Sequence, residues 1–250
     1  MRIQAVAGSD VGRVREHNED AHLVDEEIGL YVVADGMGGH LGGQTASKLA
    51  VDTVGLSVDG NKQAILDGAV VMPLESSPVP RLLADAVRAA CAAIYDAAQN
   101  DPDLQGMGTT VTAIVLQGGR AFIAHVGDSR CYLQRKDRII QITDDHSLVN
   151  EQIKAGLITR EQARQSRLKN IITRSVGFEK DVAVDTFALP IHTGDKFLMC
   201  SDGLANFVDD TEIGIALATL SLDEVPKAMI DLANERGGDD NITVVCMAAE

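Results

Sequence analysis

The sequence predicts an α+β fold built on antiparallel sheets, and three observations carry that expectation. Strand-like runs come in groups instead of alternating one for one with helices, which disfavours a doubly wound parallel sheet. Turn signals such as Gly118-Gly119 join neighbouring strands by connections too short for a crossover helix. The helical segments gather between the strand groups, and there are enough of them to cover two sheets packed together.

The elements follow in order. Residues 2–8 and 21–25 alternate apolar and polar side chains, as short strands do. "GLYVVAD" (29–35) is a β-branched apolar run, the pattern of a strand buried on both faces. Past the glycines, residues 42–58 carry apolar side chains at helical spacing. Residues 59–80 hold Gly60, Gly68, Pro73, Pro78 and Pro80 and are expected to be a loop. Residues 81–99, rich in alanine and leucine, give the strongest helix. Residues 108–143 predict a meander, with further turns at Gly127-Asp128 and Lys136-Asp137. Residues 147–172 are polar and helix-like, with Arg160, Arg164, Arg167 and Lys169 among them and Arg174 just beyond. "DKFLMCSD" (195–202) is a buried strand. Helices are expected at about 209–219 and 222–235, and a last strand at 241–248.

The chain has 250 residues, 45% of them hydrophobic, enough for a large core. With no Pro/Ser/Gly-rich linker, a single domain over 1–250 is expected. No run of about 18 apolar residues suggests a membrane span, and the first residues lack the apolar core of a secretory signal. Cys91, Cys131, Cys200 and Cys246 show no metal-knuckle or redox spacing, and three lie in apolar runs. A reducing, cytoplasmic location is expected. A net charge of −15 makes nucleic acid an unfavourable partner, because phosphate backbones want clustered Lys and Arg. The same charge fits either plain solubility or carboxylates gathered around cations.

The carboxylates decide between those readings. Asp35 ends one apolar strand, Asp128 ends "AFIAHVGD" and Asp202 ends "FLMCSD". Asp240 directly precedes the last strand, and Glu19 and Asp20 precede the strand at 21–25. Aspartates after glycine often only make turns. Several at core strand ends, however, would be partly desolvated and mutually repelling unless neutralised. Acidic oxygens without paired Cys or His favour hard cations such as Mg²⁺ or Mn²⁺. Two such ions sharing a carboxylate make an apparatus for phosphate-ester hydrolysis.

Other routes to phosphate chemistry fail on spacing. A cysteine phosphatase loop needs Arg six positions after Cys, but residues 97, 137 and 206 are Ala, Asp and Asn. "NDPDLQ" (100–105) lacks both the preceding strand and the threonine of an aspartyl-phosphate motif. A dinucleotide loop starting at Gly36 would need glycine at position 41, which is Leu41.

At these residues the chain resembles the metal-dependent serine/threonine protein phosphatases of the type 2C family, in its bacterial branch. The segments that carry the resemblance are "GRVREHNEDAH", "VVADGMGGHLGGQTAS", "GMGTTVTA", "VGDSRCYL", "TDDHSLVNEQIKAGLI", "NIITRSVG", "LMCSDGL" and "GGDDNITVV", in order across nearly the whole chain. The resemblance implies a four-layer α/β/β/α sandwich, two antiparallel sheets flanked by helices, with a flap at about 144–178. It implies that Asp35 bridges two Mn²⁺ or Mg²⁺ ions and that Gly36 offers its carbonyl to one. Asp202 and Asp240 would complete the first shell, with Glu19 and Asp20 near the second ion. Asp128, with Asp202, would hold a third, weaker ion. Arg15 would grip the substrate phosphate as a fork of donors, and His40 would give the leaving alkoxide its proton. Asp145 and His146, at the start of the flap, read as structural. Asp239 is a departure, an extra acid directly before Asp240.

The implied reaction is direct attack of a metal-activated water on phosphoserine or phosphothreonine in proteins, with no covalent phosphoenzyme. The implied partners are phosphorylated proteins, substrates of a cognate Ser/Thr kinase and the kinase itself. Two rivals stand beside it: a relative that binds phosphoproteins or a regulator without hydrolysis, and a two-metal hydrolase of nucleic acid or nucleotides.

Overall fold

Continuous apolar runs make strands buried on both faces, and here they generate three stacked cores. The computed structural model describes residues 1–38, 42–70 and 72–250. One sheet runs in the order β1 (Ile3–Asp10), β11 (Ile242–Ala249), β10 (Lys196–Cys200), β7 (Arg130–Arg135), β8 (Arg138–Gln141). The other runs β2 (Asp20–Asp25), β3 (Leu30–Met37), β5 (Val111–Gln117), β6 (Arg120–Val126), β9 (Asp185–Pro190), with the short β4 (Gly108–Thr109) paired to β3. All of these pairings are antiparallel.

Strand alternation sorts the side chains between layers. On β3, Leu30, Val32 and Ala34 meet Ala50 and Val54 of α1 (Gly42–Gly60) and Leu83 and Val87 of α3 (Val79–Asn100). Tyr31 and Val33 point the other way, toward Phe197, Met199 and Val245 of the facing sheet. Beyond that sheet, Leu198, Val244 and Cys246 pack on Ile213 and Leu217 of α7 (Asp210–Thr219) and Met229 and Ala233 of α8 (Val225–Glu235). The layers are therefore helices, sheet, sheet, helices, as expected. Each large apolar side chain sealed this way contributes about 1.5–3 kcal/mol of burial free energy. All four cysteines are free and buried in these layers, and burial raises each thiol above its ordinary range.

Two expectations are corrected, and one strand was not expected. Residues 59–80 are not all loop, because they contain α2 (Lys62–Val70), with Ile65 and Ala69 buried. Gly68 is there for close approach: a Cβ on it would stand 2.8 Å from Cδ of Pro78. Residues 108–143 are not one meander. β5 and β6 belong to one sheet, β7 and β8 to the other, and the chain crosses between them at 127–129. Gly127 makes the crossing at φ 111°, where side-chain-bearing residues are strained. Finally, β9 escaped the sequence pattern. It is a half-buried edge strand ending in Pro190, a position that tolerates a missing donor.

Between β8 and β9 the chain leaves the sandwich over residues 144–184. It forms α4 (Leu148–Lys154), capped by Ser147, and α5 (Arg160–Arg164), closed by a Thr159/Gln162 capping box. It returns through single bridges at Ser147↔Ile172 and Thr109↔Val176.

Candidate metal centre

The carboxylates converge because strand ends from both sheets meet at one mouth of the sandwich. Asp20 and Asp35 are direct cross-strand partners on β2 and β3. Asp128 sits on the crossing between sheets, and Asp202 opens α6 (Asp202–Ala205) just past the end of β10. Asp240 lies just before β11. Arg15, Glu19, Asp35, Gly36, Asp128, Asp202 and Asp240 line one cleft of 780 Å³, together with Thr173, Arg174 and Phe178 from the flap return. Asp20 lies beneath, its Oδ2 accepting from Ser201 Oγ at 2.8 Å.

The electrostatics of this rim are unfavourable as they stand. Burial, then repulsion from Asp20, Asp202, Asp128 and Asp240, pushes Asp35 well above the usual carboxylate range. Burial followed by Asp202 raises Asp128, and burial followed by Asp240 raises Asp202. Asp20 is pushed up to about 7 by burial, against hydrogen bonds from Thr243 and Ser201. Burial also raises Glu19, which Arg15 partly offsets.

Two acceptors go unanswered. Among the described residues, Oδ1 of Asp20 and Oδ1 of Asp128 are buried with no hydrogen-bond partner, an arrangement costing roughly 1–3 kcal/mol each unless something fills it. The donors are all oxygen, so hard divalent cations fit and soft ones do not. Among the described residues, no group of three or more His, Cys, Asp or Glu side chains is placed to hold a metal ion as it stands. A backbone carbonyl and water must then complete any shell, as Mg²⁺ and Mn²⁺ readily allow.

The supports are a set of hydroxyls and one amide. The Asp35 amide donates to Thr110 Oγ1 at 2.9 Å, and Thr110 Oγ1 pairs with Ser129 Oγ at 2.8 Å beside Asp128. Asn241 accepts from the Glu19 amide at 2.7 Å and donates to the carbonyls of Val11 and His17 at 2.9 Å. It thereby ties the loop carrying Arg15 to the start of β11. Gly36 has no room for a side chain: a Cβ would lie 2.1 Å from the Gly43 carbonyl oxygen and 2.5 Å from that of Glu19.

The site residues expected from the sequence thus come together, except for His40. His40 lies outside the described residues. Arg15 faces the cleft but is already engaged, donating to Asp240 Oδ2 at 2.8 Å. Asp239 is exposed, whereas Asp240 is half-buried in the cleft. Asp145 grips Arg130 through both oxygens, and His146 Nδ1 accepts from the Gly127 amide at 3.0 Å, so both brace the crossing. Thr110, Ser129 and Ser201 were missed. Ser129 and Ser201 at least adjoin an acid, in "GDS" and "CSD", whereas Thr110, in "GTT", has none beside it.

A family model described as protein phosphatase 2C matches residues 7–241. A serine/threonine phosphatase, stp, of Listeria welshimeri is 40% identical over 241 residues, spanning 95% of this chain and 92% of that protein. The crystal structure of the Mycobacterium tuberculosis serine/threonine phosphatase PstP/Ppp superposes with a TM-score of 0.89 at 35% identity, over 100% of each chain. The catalytic domain of PstP in complex with two manganese ions does so with a TM-score of 0.85 at 35% identity, over 99% of each.

Proposed function

The chain belongs to the protein phosphatase 2C family, and from that premise we propose residue roles for its metal-dependent dephosphorylation of phosphoserine and phosphothreonine in proteins. Asp35 would be shared between two divalent ions; Gly36, Asp202 and Asp240 would hold the first, Glu19 and Asp20 would serve the second, and Asp128 with Asp202 would offer a weaker third position. The observation that carries this assignment is the pair of unanswered buried acceptors, Asp20 Oδ1 and Asp128 Oδ1, inside a rim of mutually repelling acids. When bound, the ions supply charge neutralisation and an acidified water nucleophile. The manganese complex of PstP supports Mn²⁺. Mg²⁺ has the same oxygen preference and is the alternative in the cell.

The chain's own residues do the rest. Arg15 stands at the cleft with a planar fork suited to equatorial phosphate oxygens, where charge needs stabilising. Thr110 and Ser129 keep Asp35 and the Asp128 turn in place through their paired hydroxyls. His40 is the proposed proton donor to the leaving alkoxide.

The whole of 1–250 is taken as one catalytic domain, with 144–178 as a flap over the cleft. The partners proposed are phosphoproteins and a cognate Ser/Thr kinase whose signalling it opposes. A cytoplasmic location is supported by the unpaired, buried cysteines. No helix among the described residues is long and apolar enough to cross a membrane.

The test is phosphate release from a phosphothreonine peptide with Mn²⁺, with EDTA, and with Asp35→Asn. Metal-dependent release that drops roughly a hundredfold or more in the variant supports the assignment. Binding of the peptide by folded protein with no release in any metal supports the non-catalytic rival. Cleavage of DNA in place of the peptide supports the nucleic-acid rival.

A further inference from the structure

A second pocket, of 390 Å³, adjoins the metal cleft and shares Asp128 and Asp202 with it as a common wall. Its other walls are α5 and Lys169 of the flap on one side and α6, Phe207 and the start of α7 on the other. We infer that this pocket is a subsite for an anionic side chain of the substrate, a carboxylate or a second phosphate, flanking the residue being dephosphorylated. The inference rests on the metal cleft taking that phosphoresidue.

Counted by residue type alone, the pocket holds more acids than bases, so the case depends on which charges are already satisfied. Asp145 is held by Arg130 at 2.6 Å, and Glu212 by Arg236 at 2.6 Å. Asp144 pairs with Lys154 at 3.1 Å. Asp209 caps α7 by accepting from the Glu212 amide at 3.0 Å, and Asp210 accepts from Tyr132 Oη at 3.1 Å. Asp128 and Asp202 belong to the metal rim. Asp209 and Asp210 keep their charge, so beyond the rim acids three cations, Arg160, Arg164 and Lys169, stand against two hydrogen-bonded carboxylates, and Lys169 also favours the charged form of Asp202. Among the described residues, none of Arg160, Arg164 and Lys169 makes an ion pair, although the chain carries a net charge of −15.

Their placement is not accidental to the fold. Arg160 and Arg164 are four apart on α5, which puts them on one face. Ala163 is buried beneath, and the Thr159/Gln162 capping box closes the start of the helix. Both arginines line the pocket. Lys169 is half-buried, and its Nζ stands 5.9 Å over the ring of Phe207 across the opening. Two guanidinium forks and an ammonium around one cavity match a carboxylate or phosphate group, which accepts from several donors at once.

The experiment is a set of phosphothreonine peptides carrying Asp, phosphoserine or Ala at each neighbouring position in turn. kcat/KM is read with Mn²⁺, and Kd by fluorescence anisotropy on Asp35→Asn. The expected result is one position at which an anion improves kcat/KM about tenfold over Ala, as charge-assisted hydrogen bonds allow. Equal gains for Asp and phosphoserine identify a general anion subsite, and a gain for phosphoserine alone identifies a phosphate subsite. In the double variant Arg160→Ala/Arg164→Ala, the ratio of anionic to Ala peptide falls toward one. Arg164→Glu shifts the preference at that position to Lys. A ratio near one at every position in the unaltered enzyme, or a preference that survives the double variant, overturns the inference. Absence of metal-dependent release from every peptide counts against the proposed function instead, and the anisotropy ratios then decide the subsite on their own.

Discussion

Arg15 and Asp240, 225 residues apart, meet at 2.8 Å across the mouth of the cleft. The Arg15 side chain is 51% exposed, so the pair adds little to stability. It keeps a phosphate-seeking fork pointed at the metal rim while no substrate is present. Arg15→Lys preserves the charge but loses the fork. Its KM for a phosphopeptide should rise about tenfold with the melting temperature nearly unchanged, as steady-state kinetics and calorimetry would show. An unaltered KM would remove Arg15 from phosphate binding.

Gly36 tests how tightly the rim is built. Alanine there would drive Cβ into the Gly43 and Glu19 carbonyls, which forces β3 away from the start of α1. Gly36→Ala should cost about 1–3 kcal/mol of stability and most of the activity. Gly60→Ala, where nothing lies within 4 Å of the added Cβ, is the matched control and should leave both intact.

Divalent ions should stabilise the protein visibly. They relieve repulsion among Asp20, Asp35, Asp128 and Asp202 in the native state only. Mn²⁺ at about a hundred times its Kd should add about 2.7 kcal/mol, several degrees in a thermal melt of a chain this size. Asp35→Asn should reduce that gain. A melting temperature indifferent to Mn²⁺ and EDTA would mean that the rim does not hold the metal.

Acid stability can be traced to a pair far from the site. The Asp195 side chain is 2% exposed and takes both a 2.9 Å and a 2.6 Å hydrogen bond from Arg135. Burial alone would raise its pKa, but the Arg135 fork and the His192 amide together hold it below the usual range. A depressed carboxyl contributes stability fully above its unfolded pKa of about 3.9 and loses it as pH falls through the folded value. Asp195→Asn should therefore cost about 1–3 kcal/mol at neutral pH. The gap to the unaltered protein should narrow only below about pH 4, as urea melts across pH would record.

Much of this site was legible because carboxylates at the ends of buried strands violate the local rule that charges avoid desolvation. Asp35 after "YVVA" and Asp202 after "FLMC" announce themselves that way. What could not be read was partnership across long separations. Nothing in the sequence says that Asn241 holds the loop before Glu19, or that Thr110 and Ser129 share a hydrogen bond beneath Asp35. The fold errors share that cause. Gly68 looked like a helix breaker because Pro78, the group it makes room for, is ten residues on. The step from β6 to β7 looked like one more hairpin, because a turn at Gly127-Asp128 reads the same whether it reverses within a sheet or passes to the next.

The sealed cysteines have a consequence for how this enzyme meets oxidants. Peroxide attacks thiolates, and here every thiol is buried and held in its protonated form. Phosphatases that use a cysteine nucleophile fall silent under such stress. A carboxylate-and-water chemistry wrapped around buried sulfur presents peroxide with no thiolate nucleophile at the reacting centre.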